Sequence, residues 1–155
     1  MAARCLGTVN GKTDYSTASF PVASGVTVTK GDFVYFASGR LTSASVAGQP
    51  LIGMVLETAT GNAGGTVEAL VIVDPDATYL LDNDNVGTTF AASHVGTKFD
   101  LIGATGAQLA DTSSTSATTG QLLCLEYNPQ VDPVKTDVSQ GKFKIAEHAF
   151  YPLGA

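Results

Sequence analysis

The chain has 155 residues, a net charge of −6, 44% apolar residues and only 14% charged ones. A single domain of this length buries roughly 70% of its unfolded surface, so a core can form without metal or disulfide staples. The eight basic residues are scattered without a Lys/Arg run, which argues against nucleic acid as a partner, and no apolar stretch reaches the ~18 residues of a membrane helix, which argues against a membrane.

Residues 1–18 are small and mostly polar, punctuated by Gly7 and Gly11, and read as an extended N-terminal arm. From Phe20 onward short strands alternate with turns. Val26-Thr27-Val28-Thr29 alternates with period two, as a half-buried strand does. Lys30-Gly31-Asp32 is a turn, and Phe33-Val34-Tyr35-Phe36 is a continuous run of β-formers. Ser38-Gly39 then turns the chain into Arg40-Leu41-Thr42-Ser43, a tight hairpin. Residues 51–57 form another strand, in which Gly53 signals a bulge or a close backbone approach. After the glycine-rich loop at 61–65, residues 66–73 form the strongest strand. Asp74-Pro75-Asp76 marks a boundary. Residues 78–81, 98–102, 122–127 and 142–146 read as further strands. Residues 86–96 have room for one helical turn, and the Ser/Thr-rich stretch 111–120 reads as a loop. The expected fold is all-β, a small barrel or sandwich with an N-terminal arm (1–18), a barrel core (19–75) and a second β subdomain packed on it (76–155).

Little in the sequence carries chemistry. Gly7-Thr8-Val9-Asn10-Gly11-Lys12-Thr13 has a three-residue spacer where a phosphate loop needs four. Asp82-Asn83-Asp84-Asn85-Val86-Gly87 imitates a calcium loop, but Val86 offers no side-chain oxygen at the fifth position and Ser93 stands where a bidentate Glu is required. His94 and His148 belong to no metal-spaced pair, and no Gly-x-Ser-x-Gly elbow occurs. The expectation is no catalytic residues, no metal and no cofactor. Cys5 and Cys124 are too few for a disulfide scaffold; Cys124, within Leu122-Leu123-Cys124-Leu125, reads as a core thiol. Met1-Ala2-Ala3-Arg4-Cys5-Leu6 lacks the apolar segment of a signal peptide, so synthesis in the cytoplasm is expected. The acidity is uneven: residues 1–75 carry −1 (four basic, five acidic) and residues 76–155 carry −5 (four basic, nine acidic).

The run from Phe33 to Phe36 is apolar on both faces. Strand neighbours point to opposite sides, so if Phe33 and Tyr35 pack inward, Val34 and Phe36 point outward and need cover. Either a second layer of the same chain or a partner subunit supplies it. Val34 and Phe36 are therefore the candidate self-association residues.

Thr29-Lys30-Gly31-Asp32-Phe33-Val34-Tyr35, Ser38-Gly39-Arg40-Leu41, Leu51-Ile52-Gly53-Met54-Val55-Leu56 and Gly65-Thr66-Val67-Glu68-Ala69-Leu70-Val71 follow one another in an order that resembles small β-proteins of tailed-bacteriophage heads. Val95-Gly96-Thr97-Lys98-Phe99-Asp100-Leu101 resembles, more loosely, extensions of capsid-associated proteins. The resemblance implies a capsid decoration, or cement, protein: a non-enzymatic homotrimer on the outside of the virion that binds the major capsid protein and stabilises the expanded head. It also implies an arm that adds to the shell. In this chain Leu6, Val9 and Tyr15 are the candidate capsid contacts of that arm, which is expected to be mobile until docked. Two other classes compete, a carbohydrate- or receptor-binding β-module and a small-barrel hydrolase; the absence of Trp counts against the first.

Overall fold

The structure, a computed structural model, describes residues 3–9, 14–44, 49–84, 90–116, 118–127 and 140–150. Among these residues it is built of β-strands with one 3-10 turn at Ala92–His94. The strands in chain order are β1 (Arg4–Thr8), β2 (Thr17–Pro21), β3 (Thr27–Val28), β4 (Phe33–Ala37), β5 (Arg40–Ser43), β6 (Gly53–Met54), β7 (Ala59–Thr60), β8 (Glu68–Ile72), β9 (Ala77–Asp82), β10 (Lys98–Ile102), β11 (Leu109–Ser116), β12 (Leu122–Tyr127) and β13 (Gln140–Ile145). The all-β reading holds, and no described helix is long and apolar enough to cross a membrane.

The largest sheet has the order β1-β9-β13-β12-β10-β11. It curls back on itself. Val9 N donates to Asp76 O at 2.8 Å and Asp84 N donates to Ala110 O at 3.1 Å. Strand backbone groups alternate between the two edges with period two, so positions 76 and 84 face the same edge of β9. β1 pairs along the first part of that edge, and β11 reaches its far end through a parallel bridge between Asn83 and Ala110. β13 holds the opposite edge. The result is a small barrel whose seam is shared by β1 and β11.

This placement corrects the reading of residues 1–18 as a free arm. Arg4–Thr8 is a strand of the body, because the β9 edge from Ala77 to Leu80 needs a partner and the chain's own N-terminal segment supplies it. Ala3, Gly7 and Thr8 are buried, and the register shift between Cys5 and Gly7 makes Leu6 the extra residue. Two further differences concern polarity. Residues 109–116 form β11 although their Ser and Thr suggested a loop, since β-branched Thr also fits a pleated strand. The strand expected at 51–57 is short, reduced to Gly53–Met54 with bridges at Leu51 and Val55.

The remaining strands pair among themselves as β2-β8, β3-β7 and β5-β4-β6. The β4–β5 hairpin turns at Ser38 and Gly39, with φ of 50° and 77°. Two successive left-handed residues make the type I′ geometry that matches strand twist. Gly53 sits where the backbones of β6 and β8 nearly touch: a Cβ there would lie 1.6 Å from the Ile72 carbonyl oxygen.

β4 is a wall between two cores. Phe33 joins an aromatic cluster with Tyr79, Phe90, Phe99 and Phe143, whereas Val34 joins a cluster with Val22, Val28, Leu41, Ile52 and Val71. Both are fully buried. The same chain therefore covers both faces at this point, and Val34 is not available for self-association.

Buried polar side chains lock the parts together. The Gln108 amide acts as a strand neighbour: Oε1 accepts from Phe33 N at 2.6 Å, and Nε2 donates to Phe33 O at 3.1 Å and Ala44 O at 2.7 Å. Asp32 accepts from Thr29 N at 2.9 Å, Gly106 N at 2.7 Å, Ser43 Oγ and Thr105 Oγ1. Gln121 accepts from Leu101 N and donates to Gln49 O. The contacts of Gln108, and those of Asp32 with Thr105 and Gly106, join the chain's two halves.

Candidate docking surface

After β13 the chain crosses to the other sheets. Leu51 N donates to Glu147 O and Ala149 N donates to Leu51 O, both at 2.8 Å. This parallel bridge delivers Phe150 to Phe20 of β2 and Phe36 of β4. The three rings form a cluster, with centroids 5.1 Å apart for Phe20–Phe36, 5.8 Å for Phe36–Phe150 and 6.1 Å for Phe20–Phe150. The first two contacts are edge-to-face, the favoured aromatic geometry. Phe20 and Phe36 are half-buried, and Phe150 is 47% exposed.

Beneath this cluster His148 is buried, and its Nδ1 accepts from Phe150 N at 3.2 Å. Burial lowers the imidazole pKa from its ordinary value, against partial opposition from a backbone hydrogen bond at Ile52 and the charge of Asp74.

The candidate residues of the N-terminal segment do not form one site. Leu6 is half-buried in β1, Val9 is 49% exposed, and Tyr15 packs against the aromatic core. Of the self-association pair, Phe36 reaches the surface cluster and Val34 does not. Sequence reading missed Phe20 and Phe150, which stand far apart in the chain and are brought together by the bridge at Leu51.

A second feature lies between β1 and the segments around Lys30 and Met54, a half-open cleft of about 400 Å³. Cys5, Tyr15, Met54 and Leu56 give it an apolar lining, and Arg4 and Lys30 add two cations. Both cysteines are free thiols. Burial raises the Cys5 pKa, and it pushes Cys124 up to about 11.

The motifs set aside in the sequence have ordinary structural roles where they are described. Asp82 accepts from Gln140 Nε2 at 2.6 Å, and Asp84 accepts from Thr112 Oγ1 at 2.6 Å. His94 accepts from Ala91 N at 3.0 Å and stacks edge-on against Phe99. Residues 10–13 of the phosphate-loop imitation and 85–89 of the calcium-loop imitation lie outside the described residues. Among the described residues no group of His, Cys, Asp and Glu is arranged to hold a metal.

No protein-family model, curated protein or solved structure matches this chain.

Proposed function

We propose that the protein is a non-enzymatic decoration protein of a tailed-phage head, which binds the major capsid protein on the virion exterior as a homotrimer and stabilises the expanded shell. The observation that carries this reading is the Phe20–Phe36–Phe150 surface on a body whose two cores are already closed. An aromatic ring that is only half covered by its own chain gains a few kcal/mol when a partner completes its burial. The order of turns and strands from Thr29 to Val71 supports the choice of a phage head as the partner. The low charge of 14% suits close packing among neighbouring copies, which repel one another weakly.

The test is to mix the purified protein with expanded, undecorated heads and image them. Wild type decorates the shell and scatters light as a trimer, free or once bound. Phe150→Ser, at an exposed position, keeps the fold but weakens binding at least tenfold, about 1.4 kcal/mol. Full-strength decoration by this variant would remove the aromatic surface from the function. Failure of wild type to decorate, with retention on a glycan array instead, would replace the reading with that of a carbohydrate-binding module.

A further inference from the structure

We propose that the cleft between β1 and the Lys30–Met54 wall is a binding site for a medium-chain carboxylate, with the hydrocarbon against Cys5, Tyr15, Met54 and Leu56 and the carboxylate at Arg4 and Lys30. The site is separate from the phenylalanine surface and does not rest on the decoration reading.

The first argument is shape. Small-molecule sites are concave, mostly apolar, and of about 300–1,000 Å³, with few polar groups fixing orientation. This cleft has about 400 Å³ and an apolar lining. It also continues the interior. Cys5, Tyr15 and Leu56 are half-buried residues that pack directly on the aromatic core, so a chain lying on them extends a dry interior rather than covering a flat wet surface.

The second argument is charge. The protein is acidic overall, yet the charged residues lining the cleft are both cations, with no carboxylate among the lining. Three other described basic side chains are engaged: Arg40 donates to the carbonyls of Asn62 and Ala63, Lys98 to Thr118 O, and Lys144 pairs with Asp76. Among the described residues the Arg4 and Lys30 side chains meet no hydrogen-bond or ion-pair partner, and both are exposed. Two unpaired cations beside an apolar cleft select an anion with an apolar body. A single guanidinium accepts a carboxylate in a bidentate fork, and the neighbouring ammonium adds a second charge.

The third argument concerns the walls. Gly31 N donates to Val55 O at 2.9 Å, Val55 N to Asp32 O at 2.8 Å and Leu56 N to Leu70 O at 2.9 Å. The wall carrying Lys30, Met54 and Leu56 is thus hydrogen-bonded in place. On the other side β1 is held by β9. Binding a ligand between two fixed walls requires little ordering of the protein.

Cys5 supplies the reporter, since it lines the cleft while Cys124 is 1% exposed. The full-length protein is titrated by calorimetry with decanoate, decanol and acetate, each below its aggregation concentration. In parallel, alkylation of Cys5 by iodoacetamide at pH 9 is followed by mass spectrometry, with Cys124 as the internal control. Saturating decanoate slows Cys5 alkylation at least tenfold; decanol and acetate at the same concentration slow it less than twofold. R4Q/K30Q lowers decanoate affinity at least tenfold with an unchanged melting temperature. K30Q alone, in a turn outside the sheet, gives the same direction of change if the substitution in β1 disturbs that strand. Unchanged Cys5 alkylation with decanoate overturns the proposal, as does equal protection by decanol. Protection that appears only on docking to a capsid also overturns it, by assigning the cleft to a protein partner. Decanoate binding by a protein that fails to decorate heads supports this site while refuting the other reading.

Discussion

Phe33 and Val34 are neighbours in β4 and end in different interiors, and the two interiors are built from different side chains. The barrel side holds rings among its aliphatic residues: Phe90, Phe99 and Phe143 meet pairwise at 5.4–5.6 Å, and Phe33 meets Tyr79 at 4.9 Å. The buried residues of the other side are Val, Leu, Ile and Ala, with Phe20 and Phe36 packed at its margin. Backbones come close on both sides: a methyl group at Gly61 would lie 2.1 Å from Ala23 O, and one at Gly103 would lie 2.3 Å from Ala107 O. Close packing makes each core intolerant of the other's residues.

The comparison is sharpened first by truncation on the two sides of one strand. Phe33→Ala should cost about 4 kcal/mol and Val34→Ala about 2 kcal/mol, read from urea denaturation. Equal losses would mean that the cores do not differ in this way. Removing residues 2–9 should cost about 3 kcal/mol, at roughly 1 kcal/mol for each lost bond to β9. Hydrogen exchange should then rise at Ala77–Leu80 and stay unchanged at Val71. A free arm would leave both the stability and the exchange unaltered. Gln108→Leu should cost about 2 kcal/mol, because Phe33 N–H and Ala44 C=O lose their buried partner; a loss under about 0.5 kcal/mol would show that the two sides hold together without this tie.

The smallest effect is that of pH on His148. Its folded-state pKa lies below the ordinary value, so between the two values only the unfolded chain takes up the proton. Stability is fully present above about pH 6.5, falls as the pH drops below it, and levels off below the folded-state pKa. His148→Gln should remove this part of the slope. An unchanged slope would assign it to carboxylates alone.

Much of the strand map was legible because most strands announce themselves locally. Arg40–Ser43, Lys98–Ile102 and Leu122–Tyr127 have the bounds their β-formers and turns suggested, and Gly53 marks the close approach it signalled. The glycine after Ser38 gave the hairpin. What stayed hidden depends on distant partners. Arg4–Thr8 lacks a strand pattern and is a strand because β9 has an open edge. Thr and Ser in Leu109–Ser116 read as loop because their pairing with β10 is not written in their polarity. The surface site was less legible than the fold: Phe36 was found from its own strand, but nothing near Phe20 or Phe150 in the sequence indicates that they meet. The cleft was not legible at all, since Arg4 and Lys30 become neighbours of one cavity only after two separate sheets are in place.

The seam at β9 also sets an order of events. Among the described residues strands β2 to β8 pair only with one another, so their strand pairing can form before the rest of the chain has been made. β1 is synthesised before all of them, yet its partner begins at Ala77. The first strand must wait, tethered, while the intervening segment folds and shortens the distance its ends must span. Closing a loop across an already compact insert costs less chain entropy than closing it across a free coil. β1, made before the strands that separate it from its partner, is then among the last pieces to dock, and the barrel's slow phase should be read at Arg4–Thr8.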